Sequence, residues 1–372
     1  MKILKLSPIY GNNSGDLVIA RCIEHAFSNF DVQVDSVDLM FRAPGSYKAN
    51  EQSHRVSLRS RVSSTMQLVA PRIFYVIKKV LLLFGKDKRL FREIVSKYDA
   101  VMFGGGNLLM NSMGCDYIDR IAVFSEITKS PVIIFCVGAG PFLPNSETVK
   151  TKVVSNADVF TVRDKGSLAH FSSYNLSGRN LAPDPAFIVS DIAPRDKANE
   201  EYLGVNLISG YVDESSLPSL AERIAEFARD NRLKIRFINT SYPYDGQVVE
   251  KVKSIIEINS GDIEIEVANV EGNAGSVATA YSNVRFFLGC RMHSLIFALS
   301  HEIPSIGFAW DDKVPNMFDM VFPEIDRDKF IYRLGSSIDF EVYKDGKLDS
   351  EVDRIKKNFR KCVSDVMQVI ND

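Results

Sequence analysis

The segment Gly289-Cys290-Arg291-Met292-His293 places a guanidinium and an imidazole where an apolar strand, Arg285 to Leu288, runs into a helix. The start of a helix carries partial positive charge and unpaired amides, so two cationic or proton-active side chains there are unfavourable unless an anion offsets them. The arrangement predicts a phosphate or carboxylate ligand, with Arg291 as its planar fork and His293 able to give or take a proton. Met292, Leu295, Ile296 and Leu299 recur at helical spacing and supply the buried face that would hold the pair rigid. The plainer alternative pairs Arg291 with a carboxylate of the chain itself and leaves His293 satisfied at the surface; this segment alone does not separate the two.

Further groups of this kind lie elsewhere. Arg163-Asp164 opens another helix, with Asp164 as a cap and Arg163 as its ion-pair partner or an anion ligand. Asp184, between Pro183 and Pro185, is a stiffened carboxylate or a turn cap. Lys313, after Asp311-Asp312, either joins an anion pocket or pairs with Asp311. Three loops at strand ends are rich in glycine: Gly11-Asn12-Asn13-Ser14-Gly15-Asp16, Gly104-Gly105-Gly106-Asn107 and Gly138-Ala139-Gly140-Pro141. Backbone without side chains admits a ligand closely, and the amides of the first loop can receive an anion or a polar sugar, although Asp16 there is equally well explained as a cap. The G-x-G-x-x-G spacing of a dinucleotide fingerprint is absent, and no cluster has metal-ligand spacing, so neither a dinucleotide nor a metal is expected.

These residues need a scaffold, and the apolar pattern predicts one. Short apolar runs at Ile3–Leu6, Val32–Leu39, Ala100–Phe103, Pro131–Val137 and Val159–Val162 alternate with helical periodicity, as in Asp16–Phe30. Uniformly apolar strands that end in polar or glycine loops before helices indicate a parallel sheet covered on both faces. A polar segment, 191–201, reads as a linker, and a second round follows: Leu203–Ile208, helix Leu217–Asn231, Lys234–Ile238, Ile263–Ala268, Arg285–Leu288 and Ser305–Ala309. Val352, Ile355, Phe359, Val363, Val366 and Ile370 mark a terminal amphipathic helix. The fold class is therefore α/β, with two doubly wound, Rossmann-like domains at 1–192 and 200–340 facing across a cleft, and a helix at 349–372 packed back on the body.

Composition agrees with a globular protein: 372 residues, 45% apolar and 25% charged. The N-terminus is broken by Pro8, Gly11 and Asn12 before a secretory apolar core forms, so a cytoplasmic protein is expected. The longest apolar run, Ile73–Phe84, is interrupted by Lys78-Lys79 and is too short to span a bilayer. Five scattered cysteines read as reduced thiols. Charge is uneven: residues 42–92 hold twelve Lys or Arg against Glu51 and Asp87, a net +10 that leaves −12 for the rest of a chain whose total is −2. Residues 55–92 combine that charge with aromatic and aliphatic residues, which suits a solvated basic face, an anionic substrate or peripheral contact with anionic lipid; no nucleic-acid motif accompanies it.

In order, Asn13-Ser14-Gly15-Asp16, Gly104-Gly105-Gly106-Asn107-Leu108-Leu109, Val137-Gly138-Ala139-Gly140-Pro141, Val162-Arg163-Asp164-Lys165-Gly166-Ser167, Asp184-Pro185-Ala186-Phe187, Gly289 to Leu295, and Ile303-Pro304 through Lys313-Val314 resemble the polysaccharide pyruvyl transferases of bacterial capsule, exopolysaccharide and cell-wall assembly. The resemblance runs from about residue 11 to 320 and weakens between 42 and 92; where the family often has an aspartate after the triple glycine, this chain has Asn111. It implies a glycosyltransferase-B-like arrangement, phosphoenolpyruvate as donor with no cofactor, and a pyruvate ketal on two hydroxyls of a sugar, free or lipid-linked; the basic region suggests in addition a lipid-linked acceptor presented at the inner face of the membrane. On that basis the first domain is expected on the acceptor side and the second on the donor side. His293, Arg291, Arg163 and Asp16 are the expected catalytic residues, and Asn13, Gly15, Gly105, Gly106, Asn107, Asn111, Gly138, Gly140, Asp184 and Lys313 the expected substrate-binding ones. Two other readings remain at this point: a nucleotide-sugar glycosyltransferase or epimerase, and a non-catalytic sugar-binding module.

Overall fold

The strands Ala100–Gly104 and Val132–Val137 are apolar and buried on both sides because helices cover both faces of the sheet they build, whereas the edge strand Gln33–Asp38 is polar and largely half-buried. In the computed structural model, which describes residues 1–10, 14–42, 73, 80, 85–112, 116–144, 146–241, 244–309 and 311–371, this sheet holds β1 (Lys2–Ser7), β2 (Gln33–Asp38), β3 (Ala100–Gly104), β4 (Val132–Val137) and β5 (Val159–Val162). All pair in parallel, in the order β2-β1-β3-β4-β5. Between β1 and β2 runs α1 (Ser14–Ser28), and α2 (Lys86–Val95), α3 (Tyr117–Ile127) and α4 (Glu147–Ser155) precede β3, β4 and β5. After β5 come α5 (Lys165–Ala169), a short turn of 3-10 helix at Pro185–Ile188, and α6 (Val189–Ile192).

The second sheet contains β6 (Tyr202–Asn206), β7 (Lys234–Asn239), β8 (Ile265–Asn269), β9 (Val284–Gly289), β10 (Ser305–Phe308) and β11 (Ile331–Tyr332), again parallel, in the order β11-β10-β9-β6-β7-β8. Its helices are α7 (Leu217–Asp230), α8 (Gly246–Asn259), α9 (Ala274–Tyr281), α10 (Met292–Ser300) and α11 (Lys313–Val321), and α12 (Leu348–Asn371) ends the chain. The expected α/β architecture of two doubly wound sheets is what the chain forms. In each sheet the winding reverses once, between β1 and β3 and between β6 and β9. Such reversals splay the loops apart beyond the carboxyl ends of the strands and leave a crevice for ligands. The Gly15-Asp16 turn and Gly105-Gly106 sit at the first reversal and Arg291 at the second.

What holds these two crevices face to face is a shared core. One apolar cluster runs from the α1 face of the first sheet, through Ile3, Phe27 and Phe135, by way of Phe187, to Leu295 and Phe297 of α10 and Phe359 and Val363 of α12. The polar segment read as a linker is tied down: Arg195 is buried and donates to His301 O (3.1 Å) and Val284 O (2.9 Å). On the cleft side, Ser14 donates its amide to Thr240 O (3.1 Å) and its hydroxyl to Val270 O (2.5 Å), fastening the first turn of α1 to the second half. Most of residues 55–92, the stretch read for membrane contact, lies outside the described residues. Among the described residues no helix is long and apolar enough to cross a membrane.

Phe359 is fully buried, its ring 5.9 Å from that of Phe135 on β4. Phe359→Ala should therefore lower unfolding free energy by about 3–5 kcal/mol, as large truncations in a packed core do. Denaturant unfolding would measure it; a loss within 1 kcal/mol, roughly the size of a surface change, would mean that α12 does not anchor the two halves.

Candidate active site

Between the facing crevices lies a cavity of about 230 Å³, lined by Pro8, Asp16, Asn107, Met110, Tyr117, Arg163, Thr240, Arg291, Met292, His293 and Lys313. It draws on both halves of the chain. Three permanent cations, Arg163, Arg291 and Lys313, face one carboxylate, Asp16, so the lining is positive even with His293 neutral.

The backbone turns sharply at the end of β9. Arg291 is extended, with φ −88° and ψ 128°, in the cap position of α10, and its amide donates to Asn206 Oδ1 at 2.9 Å. Asn206 ends β6 and is itself fixed by a bond from its Nδ2 to Ile238 O (2.9 Å). The Arg291 guanidinium forks onto Asp245, Nε to Oδ2 at 2.6 Å and Nη2 to Oδ1 at 2.8 Å. This corrects the premise that an outside anion must offset Arg291: the buried Asp245 carboxylate does much of it, because a bidentate pair stabilises both charges locally. The fork is thereby oriented and keeps Nη1 for another acceptor.

His293 lies in the first turn of α10, with Nε2 at 3.7 Å from Asp184 Oδ2, an ion-pair distance too long for a hydrogen bond. Asp184 also accepts from Arg163 Nη1 (3.2 Å) and, through Oδ1, from Ala186 N (3.0 Å), capping the 3-10 turn that its flanking prolines stiffen. Burial alone would raise the Asp184 pKa. The adjoining His293, the Arg163 charge and the Ala186 amide outweigh burial and hold the carboxyl below the ordinary value. Asp184 is thus both of the things its sequence allowed, a turn cap and a positioned carboxylate. Arg163, only 4% exposed, also lies 3.5 Å from Asp164, whose side chain caps α5 by accepting from Ser167 N (2.6 Å).

Two glycines make this packing possible. A Cβ at Gly15 would sit 2.3 Å from His293 Nδ1, and one at Gly138 would sit 2.8 Å from Arg163 Nη2, distances no real side chain tolerates. Gly105, Gly106 and Gly140 likewise abut Ile19, Asp16 and His170. None of the five is among the cavity's lining residues; Gly15, Gly106 and Gly138 make room for lining side chains, His293, Asp16 and Arg163, which departs from the expected contact between bare backbone and ligand. Asp16 is the third residue of α1, inside its first turn and not at the cap. Asn107 donates Nδ2 to Gly140 O (2.8 Å). Lys313, the first residue of α11, lines the cavity and also lies 3.5 Å from Asp311, so it is in reach of both the cavity and the carboxylate.

Asn111 is not brought to the cavity. It is 1% exposed, accepts from Leu143 N (2.9 Å), donates to Ser146 Oγ (3.1 Å), and so pins the loop that follows β4. Asn13 lies outside the described residues. Asp245, Asn206, Thr240 and Tyr117 had not been singled out; Asp245, just before α8, looks in sequence like an ordinary cap, yet makes no cap bond. Three buried polar atoms of lining residues have no hydrogen-bond partner: Asn107 Oδ1, Arg163 Nε and His293 Nε2. Buried polar atoms are nearly always paired, so their convergence marks a place for a polar ligand or ordered water.

Comparisons with known proteins agree with this geometry at the level of family and fold. The family model described as polysaccharide pyruvyl transferase matches residues 13–312. No curated protein sequence matches the chain. Among solved structures, the UDP-GlcNAc 2-epimerase from Neisseria meningitidis bound to UDP-GlcNAc superposes with a TM-score of 0.53 at 10% identity, over 99% of this chain and 100% of that one. The UDP-GlcNAc 2-epimerase from Methanocaldococcus jannaschii gives 0.52 at 11% identity over 95% and 91%, and S. aureus MnaA with UDP gives 0.50 at 12% over 96% and 90%. At such identities the likeness speaks for the fold, two parallel-sheet domains in a glycosyltransferase-B-like arrangement. With the family model covering most of its length and the motif residues Asp16, Arg163, Arg291 and His293 gathered in one cavity, the chain belongs to the polysaccharide pyruvyl transferase family.

Proposed function

We propose that this enzyme transfers the pyruvyl group of phosphoenolpyruvate to two hydroxyls of a saccharide acceptor, releasing phosphate and leaving a pyruvate ketal. The observation that carries the reading is the convergence of Arg163, Arg291, Lys313 and His293 on one small cavity between the halves. A donor with a phosphate and a carboxylate complements three cations, and the cavity is small for a sugar nucleotide. The acceptor, free or lipid-linked, would approach from outside this cavity, and a peripheral position at the inner membrane face belongs to the same proposal.

The chemistry balances with the residues present. The methylene carbon of the donor gains a proton, C2 becomes electron-poor, and one acceptor hydroxyl adds to it. The C2–O bond to phosphate then breaks, and the second hydroxyl closes the ketal. The two hydroxyl protons end on the new methyl group and on phosphate. His293 protonates the departing phosphate as general acid, with Asp184 Oδ2 3.7 Å from its Nε2 to orient the ring. Asp16, which lines the same cavity, orients a hydroxyl or takes its proton. Arg163 and the remaining Nη1 of Arg291 hold the donor's anionic ends.

Four outcomes test this. Incubation with phosphoenolpyruvate and candidate glycosides should release phosphate and add pyruvate to the sugar by mass; nucleoside diphosphate release from a sugar nucleotide instead would identify the glycosyltransferase or epimerase reading, to which the shared fold gives weight. His293→Ala should lower the rate by roughly 10²-fold or more, and a near-normal rate removes it from proton transfer. Arg291→Lys should weaken donor affinity, since a point charge can neither fork onto Asp245 nor keep a second nitrogen in plane; unchanged affinity by calorimetry excludes Arg291 from the donor site. Gly15→Ala, which pushes the His293 ring aside, should reproduce the His293→Ala rate loss with little change in donor affinity.

A further inference from the structure

Lys5 stands in the middle of β1, between Ser36 of β2 and Met102 of β3, with no solvent exposure. Its side chain lies on the α1 face, the side of Ile3, because Leu4 and Leu6 belong to the core on the other face. Its Nζ has no hydrogen-bond partner. Two residues further along the same face, Ser7 is also buried and its Oγ is also unpartnered. The next residue, Pro8, already lines the catalytic cavity. A row of unsatisfied polar groups thus runs under α1 toward the reaction centre.

Above this row, Asp16, Ala20 and Glu24 stand four residues apart on one stripe of α1. The charges that reach Lys5 come from that helix: Glu24 and Asp16 favour its ammonium, and Arg21 opposes it. Glu24 is itself engaged by Arg21 at 2.7 Å and by the Ser36 hydroxyl. The flanking strands place only uncharged Ser36 and Met102 in register beside it. Burial outweighs the favourable charges and draws the Lys5 pKa down to about 7. An unpaired buried amine destabilises a fold that a methionine of similar length would serve better, and such violations of packing logic gather at functional sites.

We propose, resting on the anionic-donor reading above, that Lys5 is a positioning residue for the reaction: protonated while an anion fills the cleft, it supplies a buried positive charge behind Asp16 and the end of β1, and it gives the proton up when the anion leaves. The sign follows from linkage. A negative ligand favours the charged amine, so binding just above neutral pH takes up a proton, and affinity falls as pH rises and the free protein loses that proton.

The test is calorimetric titration of phosphoenolpyruvate into wild type and Lys5→Met at about pH 7.5, in two buffers of different protonation enthalpy. Wild type should take up more protons per ligand than the variant, by a substantial fraction of one, and the variant should bind roughly 3–10-fold more weakly while showing a higher thermal midpoint. A merely structural lysine would lower the midpoint and leave the proton count unchanged; equal uptake by both proteins overturns the proposal. Lys5→Leu repeats the comparison should the methionine variant fail to fold. If wild type binds no phosphoenolpyruvate the donor reading falls, and inorganic phosphate in the same format then decides Lys5: the same difference in uptake supports it, and no difference or no binding overturns it.

Discussion

A single buried carboxylate, Asp184, carries the assembly of the reaction centre. It lies on the first half of the chain and is almost sealed from solvent, and it faces one cation from its own half, Arg163, and one imidazole from the other, His293. Stripped of partners, a charge in that position would be intolerable, since desolvation costs far more than a lone contact returns. With both partners and the Ala186 amide it is held ionised. The contact from His293 to Asp184 is the one that crosses between the halves, so a relative shift of the halves would cost the carboxylate its imidazole partner and leave Arg163 and the Ala186 amide in place.

Asp245 does comparable work for Arg291 within the second half. Each of the two arginines in the cavity is thus backed by a carboxylate, which fixes a flexible side chain and still leaves part of each guanidinium turned to the ligand. A preformed, oriented positive lining would need little reorganisation to receive the charged donor proposed above, the condition under which electrostatic catalysis is most effective. The glycines at 15 and 138 belong to this scheme, for their missing side chains are the space that His293 and Arg163 occupy.

Much of this was legible in the residues. Continuous apolar strands ending in glycine or charged turns dictate covered parallel sheets, and the helix spacing of Met292, Leu295, Ile296 and Leu299 made the placement of Arg291 and His293 readable before any coordinates. Asp184 was legible as a stiffened carboxylate through its prolines. What stayed hidden were relations between segments distant in the chain. Asp245 is 46 residues from the arginine it holds, and nothing local distinguishes it from a helix cap. Asn111, adjacent to a glycine motif, looked like a ligand-binding amide and instead satisfies backbone and hydroxyl groups of a neighbouring loop. Lys5 sits in a run, Lys2-Ile3-Leu4-Lys5-Leu6, where a lysine reads as an edge residue; only the sheet order places it inside.

The continuous core beneath the cleft has a mechanical corollary. Because α12 and the Phe187 turn bind both sheets from behind, widening of the entrance cannot proceed by swinging the halves apart about a loose tether. On the front, the first turn of α1 is fastened to the opposite half by hydrogen bonds from Ser14 to Thr240 O and Val270 O. The molecule resembles a clothes-peg with a stiff spring and a separate catch, and the catch is one residue away from the glycine over which the imidazole rests.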